Sequence, residues 1–422
     1  LYIFLVRKTV KTISLRKGLL LSLVGVILFL SGVMIKSGTR DFGANVKTGL
    51  FSYYPNNIVY NVFKYSKKLK RVDHEALTKN FTFSAHKDDT LKQREIYVLV
   101  IGETSRAHNW GLYGYNRNTS PRLEKRQGLL PFTDASTAGA MTELSVPLII
   151  TRATPEDFDR HFREKGVGAA FDESGFKTYW ISNQDDYFHI LMHKKEMDSV
   201  VDLGGARSST HSVYDISVVN EFENILKHDK NQKSFYILHT MGSHFNYSMR
   251  YPQNFEVFKP AGQNQAINPM NPANKGILVN SYDNSILYTD MILDSLISLL
   301  DKEKAVSYLL YLSDHGEDLY DDSRMKFLHP PTKPTAFVAH IPFFIWTSTL
   351  YDSIYPRKYQ TLKSHLNSPI SSHNVFETLL DMADISFPGQ NLSESIASDS
   401  FQNSKQLLLG GDMKVYRFKD LK

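Results

Sequence analysis

YLLYLSDHGED, running from Tyr308 to Asp318, is the stretch on which the reading of the chain turns. A run of apolar and aromatic residues ends abruptly in Asp314, His315, Gly316 and Glu317. A strand that is apolar at successive positions hides both of its faces, the pattern of a parallel sheet covered by helices on each side. Its tip then lies at the carboxyl edge, where open α/β sheets bind ligands. The same kind of strand recurs as IYVLVI (Ile96–Ile101), KTYWIS (Lys177–Ser182), SFYIL (Ser234–Leu238) and IPFFIW (Ile341–Trp346). Helical spacing fits Pro155–Glu164, Val213–Lys227, Asn284–Asp301 and His373–Met382 between them. The expected fold class is therefore α/β, with a mostly parallel central sheet between helical layers. Residues 252–276, rich in Pro, Asn and Gln, read as a surface loop, and the tail after Pro388 as loosely ordered.

The totals leave room for a sizeable core: 422 residues, 42% hydrophobic and 22% charged. The net charge of +5 says little about nucleic acid, because Arg7, Lys8, Lys11, Arg16 and Lys17 all precede the first acidic residue, Asp41. Those charges flank GLLLSLVGVILFLSGVMI (Gly18–Ile35), which carries no charge and as a helix measures about 27 Å, close to a bilayer core. A membrane helix is the expectation, with a cleavable signal peptide as the rival; no small-x-small cleavage site comes after it. The basic cluster puts the N-terminal side in the cytoplasm and the remainder outside, although Lys36 and Arg40 weaken the contrast. Residues 1–36 are expected to be a membrane segment, the remnant of a larger multi-helix membrane domain. Residues 37–94 form a connector in which Ile58, Val59, Val62, Phe63 and Leu69 suit an interfacial amphipathic helix or an ordinary surface helix. Residues 95–422 are expected to form the remaining, α/β domain.

The residues just beyond the strand ends point to chemistry. Gly102-Glu103-Thr104 succeeds IYVLVI, the segment His239–His244 succeeds SFYIL, and Asp314-His315-Gly316-Glu317 succeeds YLLYLS. Carboxylates and imidazoles without a single cysteine make a nitrogen and oxygen donor set suited to zinc or manganese. Singly, each has an ordinary role: Asp314 as a helix cap, Glu103 likewise, and His74, His86, His193 and His228 as surface or hydrogen-bonded histidines. Together they predict a metal site. With no Gly-x-Ser-x-Gly elbow and no thiol, the hydroxyl candidates lie in STAGAMTELSVPLIITR (Ser136–Arg152). There Thr142 is either a nucleophile or a helix cap with Glu143 in the first turn, and Ser145 is the next candidate.

On these motifs the chain resembles a known family. GETSRAHNWGLYGYNRNTSPRL (Gly102–Leu123), TELSVP, LHTMGSHFNYSMRYP (Leu238–Pro252), YDNSILYTD (Tyr282–Asp290), SDHGEDL, FLHP (Phe327–Pro330) and HIPFFIW, in this order, resemble the phosphoethanolamine transferases of the alkaline phosphatase/sulfatase superfamily. That family includes the lipid A modifying enzymes of polymyxin resistance. The resemblance implies an alkaline phosphatase-like α/β/α sandwich and one zinc ion, or two. It implies Glu103, Thr142, Asp314 and His315 as metal ligands, Thr142 as the nucleophile, and His244 and His329 as phosphoryl-binding or second-metal residues. Asn183 and Gln184 fall near a position that contacts the substrate head group. The chain departs from the family in lacking its disulfides, with Ala138 and Leu148 at two such positions, and in carrying Phe245 after His244 where a small residue is usual.

The implied activity is transfer of phosphoethanolamine from phosphatidylethanolamine to lipid A or another envelope glycan, through a covalent threonine intermediate. The implied setting is the bacterial inner membrane with the catalytic domain in the periplasm, acting as a monomer without nucleic acid. A phosphoglycerol transferase, or a hydrolase of the sulfatase or phosphodiesterase type, is the alternative; a sulfatase would need a Cys or Ser where Thr142 stands.

Overall fold

The computed structural model describes residues 74–421 apart from 89–90, 185–186, 205–212, 263–266 and 330–331, together with Val24. The chain divides into the units Leu1–Asp73 and His74–Lys422, and the sheet and its helices belong to the second. The expected membrane segment, apart from Val24, and the amphipathic stretch of the connector lie outside the described residues, among which no helix is long and apolar enough to cross a membrane.

Seven strands make the central sheet: β1 (Glu95–Gly102), β2 (Leu129–Pro131), β3 (Lys177–Ser182), β4 (Ser199–Asp202), β5 (Lys233–His239), β6 (Val306–Ser313) and β7 (Phe343–Thr347). Their spatial order is β2-β7-β6-β1-β5-β3-β4. β1 pairs in parallel with both β5 and β6, and β3 with β4 and β5, while β7 and β2 are antiparallel. All five expected strands are present, and the expectation of a mostly parallel sheet holds. The short strands β2 and β4 were not legible; β4 (SVVD) alternates half-buried with exposed residues at an edge, so it has no continuous apolar run.

Alternation within the central strands builds a core on each face. Tyr97, Leu99 and Ile101 of β1 join Tyr308, Leu310 and Leu312 of β6 and Phe343 and Ile345 of β7 on one side. Ile96, Val98 and Val100 join Leu309, Tyr311, Phe344 and Trp346 on the other. Each fully buried side chain of this kind removes about 1.5–3 kcal/mol worth of apolar surface from water, which is why the sheet is rigid enough to position groups at its edge.

The helices include α1 (Thr142–Ile150), α2 (Ile216–His228), α3 (Lys275–Lys302) and α4 (Val375–Met382). α3 begins well before Asn284, inside the stretch read as a loop; Asn271 caps the short turn that leads into it by accepting from the Ala273 N–H. The helix expected over Pro155–Glu164 is confined to Arg160–Arg163. The tail is ordered as well. Leu407–Leu409 pairs with Val415–Arg417, Leu408 and Phe418 are buried, and the Leu409 backbone bonds to Ala138 and Ala140 beside the start of α1. Its apolar residues are too few and too scattered to show periodicity, but they cap the segment before the nucleophile candidate.

Candidate active site at the carboxyl edge of the sheet

β1 and β6 run in register, Gly102 opposite Ser313, so the residues just past their ends, Glu103 and Asp314, emerge side by side. The turn after β1 is tight. Thr104 is β-branched yet adopts φ 57°, a conformation costing on the order of 1–3 kcal/mol. It is held there by its N–H donating to Asp314 Oδ1 at 2.9 Å and by the Tyr282 hydroxyl donating to its carbonyl at 2.7 Å. Gly242 makes the turn possible from the other side: its φ is 46°, and a Cβ there would lie 2.7 Å from the Glu103 carbonyl oxygen.

Glu103, Asp314 and His315 are fully buried, and one ligand atom from each falls within 4.8 Å of the others. His315 Nε2 is 3.3 Å from Asp314 Oδ2 and 3.6 Å from Glu103 Oε1. The His315 Nδ1 lies 2.9 Å from the Gly316 carbonyl, which can only accept, so the hydrogen is on Nδ1 and Nε2 offers a lone pair to the cluster. Asp314 Oδ1 accepts from the Thr104 and His315 N–H groups, whereas Oδ2 is buried without a partner. Burial, with the Asp314 charge alongside, pushes Glu103 well above the usual carboxylate range; burial likewise raises Asp314. Burial and the neighbouring His329 hold His315 well below its usual value, in the neutral form a metal requires. Two crowded buried carboxylates, an orphaned oxygen and a neutral imidazole aimed at them make a donor set that a divalent cation fits.

Thr142 completes the cluster. Its Oγ1 is 3.1 Å from Glu103 Oε2, 3.3 Å from Oε1 and 3.4 Å from His315 Nε2. It is the first residue of α1; the cap position is Met141, and Thr142 makes no capping bond. The approach is close: a Cβ on Gly139 would lie 2.6 Å from the Ser145 nitrogen, so only glycine lets the preceding loop fold under the helix start. Ser145 is turned away, its hydroxyl donating to the Asp314 carbonyl at 2.6 Å.

His329 packs against His315 with ring centroids 4.2 Å apart and planes tilted by 50°, and its Nδ1 is 3.0 Å from Glu317 Oε1. Burial opposes its protonation, but the Glu317 hydrogen bond and charge prevail and raise its pKa. Glu317 is itself fixed by the Tyr247 hydroxyl at 2.5 Å. His244 donates from Nδ1 to the Phe245 carbonyl at 2.6 Å, and burial lowers its pKa.

The matched family model is Sulfatase, over residues 95–385. The chain belongs to the sulfatase family. Phosphoethanolamine transferase EptC of Escherichia coli (strain K12) is 28% identical over 334 residues, 75% of this chain and 56% of that protein. The chain therefore spans less than two thirds of that relative's length. The C-terminal periplasmic domain of the Escherichia coli EptC, in complex with zinc, superposes with a TM-score of 0.72 at 26% identity, covering 79% of this chain and 95% of that one. The integral membrane protein lipooligosaccharide phosphoethanolamine transferase A (EptA) from Neisseria meningitidis gives 0.71 at 25% identity, covering 92% and 74%. These names are those that the motif resemblance implies.

Two further residues of this sulfatase-family site differ in role from their neighbours. Gln184 reaches the cluster, donating to Glu103 Oε2 at 2.9 Å and to the Thr240 carbonyl at 2.8 Å, so it orients a carboxylate. Asn183 points elsewhere, to Asp215 Oδ1 at 2.8 Å and the Val213 carbonyl at 2.9 Å. Thr104, Glu317 and Tyr247 lie inside the quoted motifs, but nothing in the sequence marks which group each one holds.

Proposed function

We propose that the chain is a membrane-anchored transferase that moves phosphoethanolamine from phosphatidylethanolamine to lipid A or another envelope glycan, with its catalytic domain in the periplasm. The observation that carries this reading is the Thr142 hydroxyl set against Glu103 and His315 in a buried cluster with Asp314. The EptC and EptA similarities support the head group and a glycolipid acceptor.

Glu103, Asp314 and His315 would hold a zinc ion, and its zinc-bound structural relative supports that metal. Such an ion supplies the positive charge that lowers the pKa of an adjacent hydroxyl. Thr142 Oγ1, with its hydrogen directed at the Glu103 carboxylate, attacks the phosphorus of the lipid head group. The phosphorus–oxygen bond to diacylglycerol breaks, the departing oxygen takes the proton that Thr142 gave up, and phosphoethanolamine remains on Thr142. An acceptor hydroxyl then attacks the same phosphorus, and its proton passes to Thr142 Oγ1 as the bond to Thr142 breaks. His329, whose positive charge Glu317 favours, and His244 balance charge that grows on the phosphoryl oxygens.

The test is mass spectrometry of the tryptic peptide containing Thr142, after incubation of the protein with phosphatidylethanolamine and zinc. A phosphoethanolamine adduct on Thr142 is the expected result. Lipid consumption without an adduct would favour the hydrolase reading. Neither consumption nor adduct would indicate another head group, such as phosphoglycerol.

A further inference from the structure

We propose that His74, His193 and Glu196 form a second, structural divalent-cation site, separate from the cluster at the sheet edge. The three come from different segments: His74 from the helix His74–Thr78, His193 from the helix Phe188–Lys194, and Glu196 from the turn just after it. Glu196 Oε1 lies 2.8 Å from His74 Nε2 and 3.0 Å from His193 Nδ1, and Oε2 accepts the Gly166 N–H at 2.7 Å. Their side chains are only 9%, 1% and 9% exposed for His74, His193 and Glu196.

His74 sits between two acceptors. His74 Nδ1 is 3.1 Å from the Phe162 carbonyl, and its Nε2 faces a carboxylate. Both nitrogens therefore face oxygens that can only accept, while a neutral imidazole has one N–H. With the hydrogen on Nδ1, the Nε2 lone pair meets a carboxylate lone pair, and a cation between them removes the conflict. His315 is arranged the same way, Nδ1 on a backbone carbonyl and Nε2 toward carboxylates. This is the usual second-sphere anchoring of a metal-bound histidine. On the far side of the cluster, His193 Nε2 is buried without a partner. Two imidazoles and one carboxylate, completed by water, suit zinc. The ligand atoms of a tetrahedral site of this type stand about 3.3 Å apart, so the contacts of His74 and His193 with Glu196 Oε1, at 2.8 and 3.0 Å, need open by only a few tenths of an ångström.

The location indicates a purpose. Gly166 packs between the cluster and the end of α1: a Cβ there would lie 3.2 Å from Glu196 Oε2, 3.3 Å from His193 Nδ1 and 3.4 Å from the Ile150 carbonyl. Ile150 ends the helix that begins with Thr142. In a chain with no cysteine, a cation here would tie three segments together behind the nucleophile helix.

The deciding experiment is anomalous diffraction at the zinc edge from crystals of the zinc-loaded protein, with zinc content per chain measured in parallel for wild type and His74→Gln. The expected result is a peak bonded to His74, His193 and Glu196 besides the one at Glu103, Asp314 and His315. His74→Gln should lose that peak and about one zinc per chain while keeping the other. Zinc confined to the sheet-edge cluster in wild-type crystals would overturn the proposal and leave these three residues a hydrogen-bonded cluster. Because the wild-type map decides, the test survives a variant that fails to fold.

Discussion

Thr142 Oγ1 stands 3.1 Å from Glu103 Oε2, although 39 residues separate them in the chain. Removing that hydroxyl deletes the proposed nucleophile and little else, since Thr142 does not occupy the cap position of α1. Thr142→Ala should lower transfer by about 10³-fold or more, leave the zinc content unchanged, and shift the melting temperature by no more than a few degrees. Retention of full activity would remove Thr142 from the mechanism.

Ser145→Ala separates the two hydroxyls of α1. The Ser145 hydroxyl donates to the Asp314 carbonyl and lies 3.1 Å from Thr137 Oγ1. Its loss should destabilise the fold by about 1–2 kcal/mol, read by denaturant unfolding, while the phosphoethanolamine adduct still forms on Thr142. An adduct located on Ser145 in the wild-type protein, and lost in the variant at full zinc occupancy, would make Ser145 the nucleophile.

Gln184 holds one oxygen of Glu103 and anchors to the Thr240 carbonyl. Groups that orient a metal ligand in this way contribute about 10- to 100-fold to affinity. Gln184→Ala should weaken zinc binding by that factor in a chelator competition. Unchanged affinity would mean that Thr104, whose hydroxyl donates to Glu103 Oε1 at 2.5 Å, suffices alone.

Asp290 is buried in α3 and accepts from the Arg122 and Leu123 N–H groups, yet burial raises its pKa to about 7. A raised acid pKa means that the folded protein keeps a proton the unfolded chain gives up, so stability falls as pH rises. The window runs from about pH 4, the unfolded value, to about pH 7, and the loss amounts to up to about 4 kcal/mol. Asp290→Asn should flatten the stability profile across that window in denaturant titrations. An unchanged slope would assign it to other raised carboxyls, such as Asp318, which burial takes to about 6.

Much of the fold was written in local pattern. Continuous apolar runs such as IYVLVI and YLLYL can satisfy both faces only inside a covered sheet, so their strand character and burial were legible. The edge strand β4 and the ordered tail were not, because their few apolar residues gain burial only from neighbours distant in sequence. The same holds for histidines. His74 and His193 read as ordinary residues, and nothing local announces that both meet Glu196.

By itself the sequence determined the α/β class, the strands whose ends carry Glu103, Asp314 and His315, and the motif order that marks the sulfatase family. Those properties reside in contiguous residues, where side-chain periodicity and short spacing suffice. Only the tertiary structure decided that Thr142 faces Glu103 while Ser145 faces a backbone carbonyl, that Gln184 reaches the carboxylate and Asn183 does not, and that three separate segments converge on Glu196. Those outcomes depend on strand register and on the direction each side chain leaves its element. A shift of one residue in the pairing of β1 with β6 would turn Glu103 and Asp314 to opposite faces and break the cluster that Thr142 and Gln184 meet.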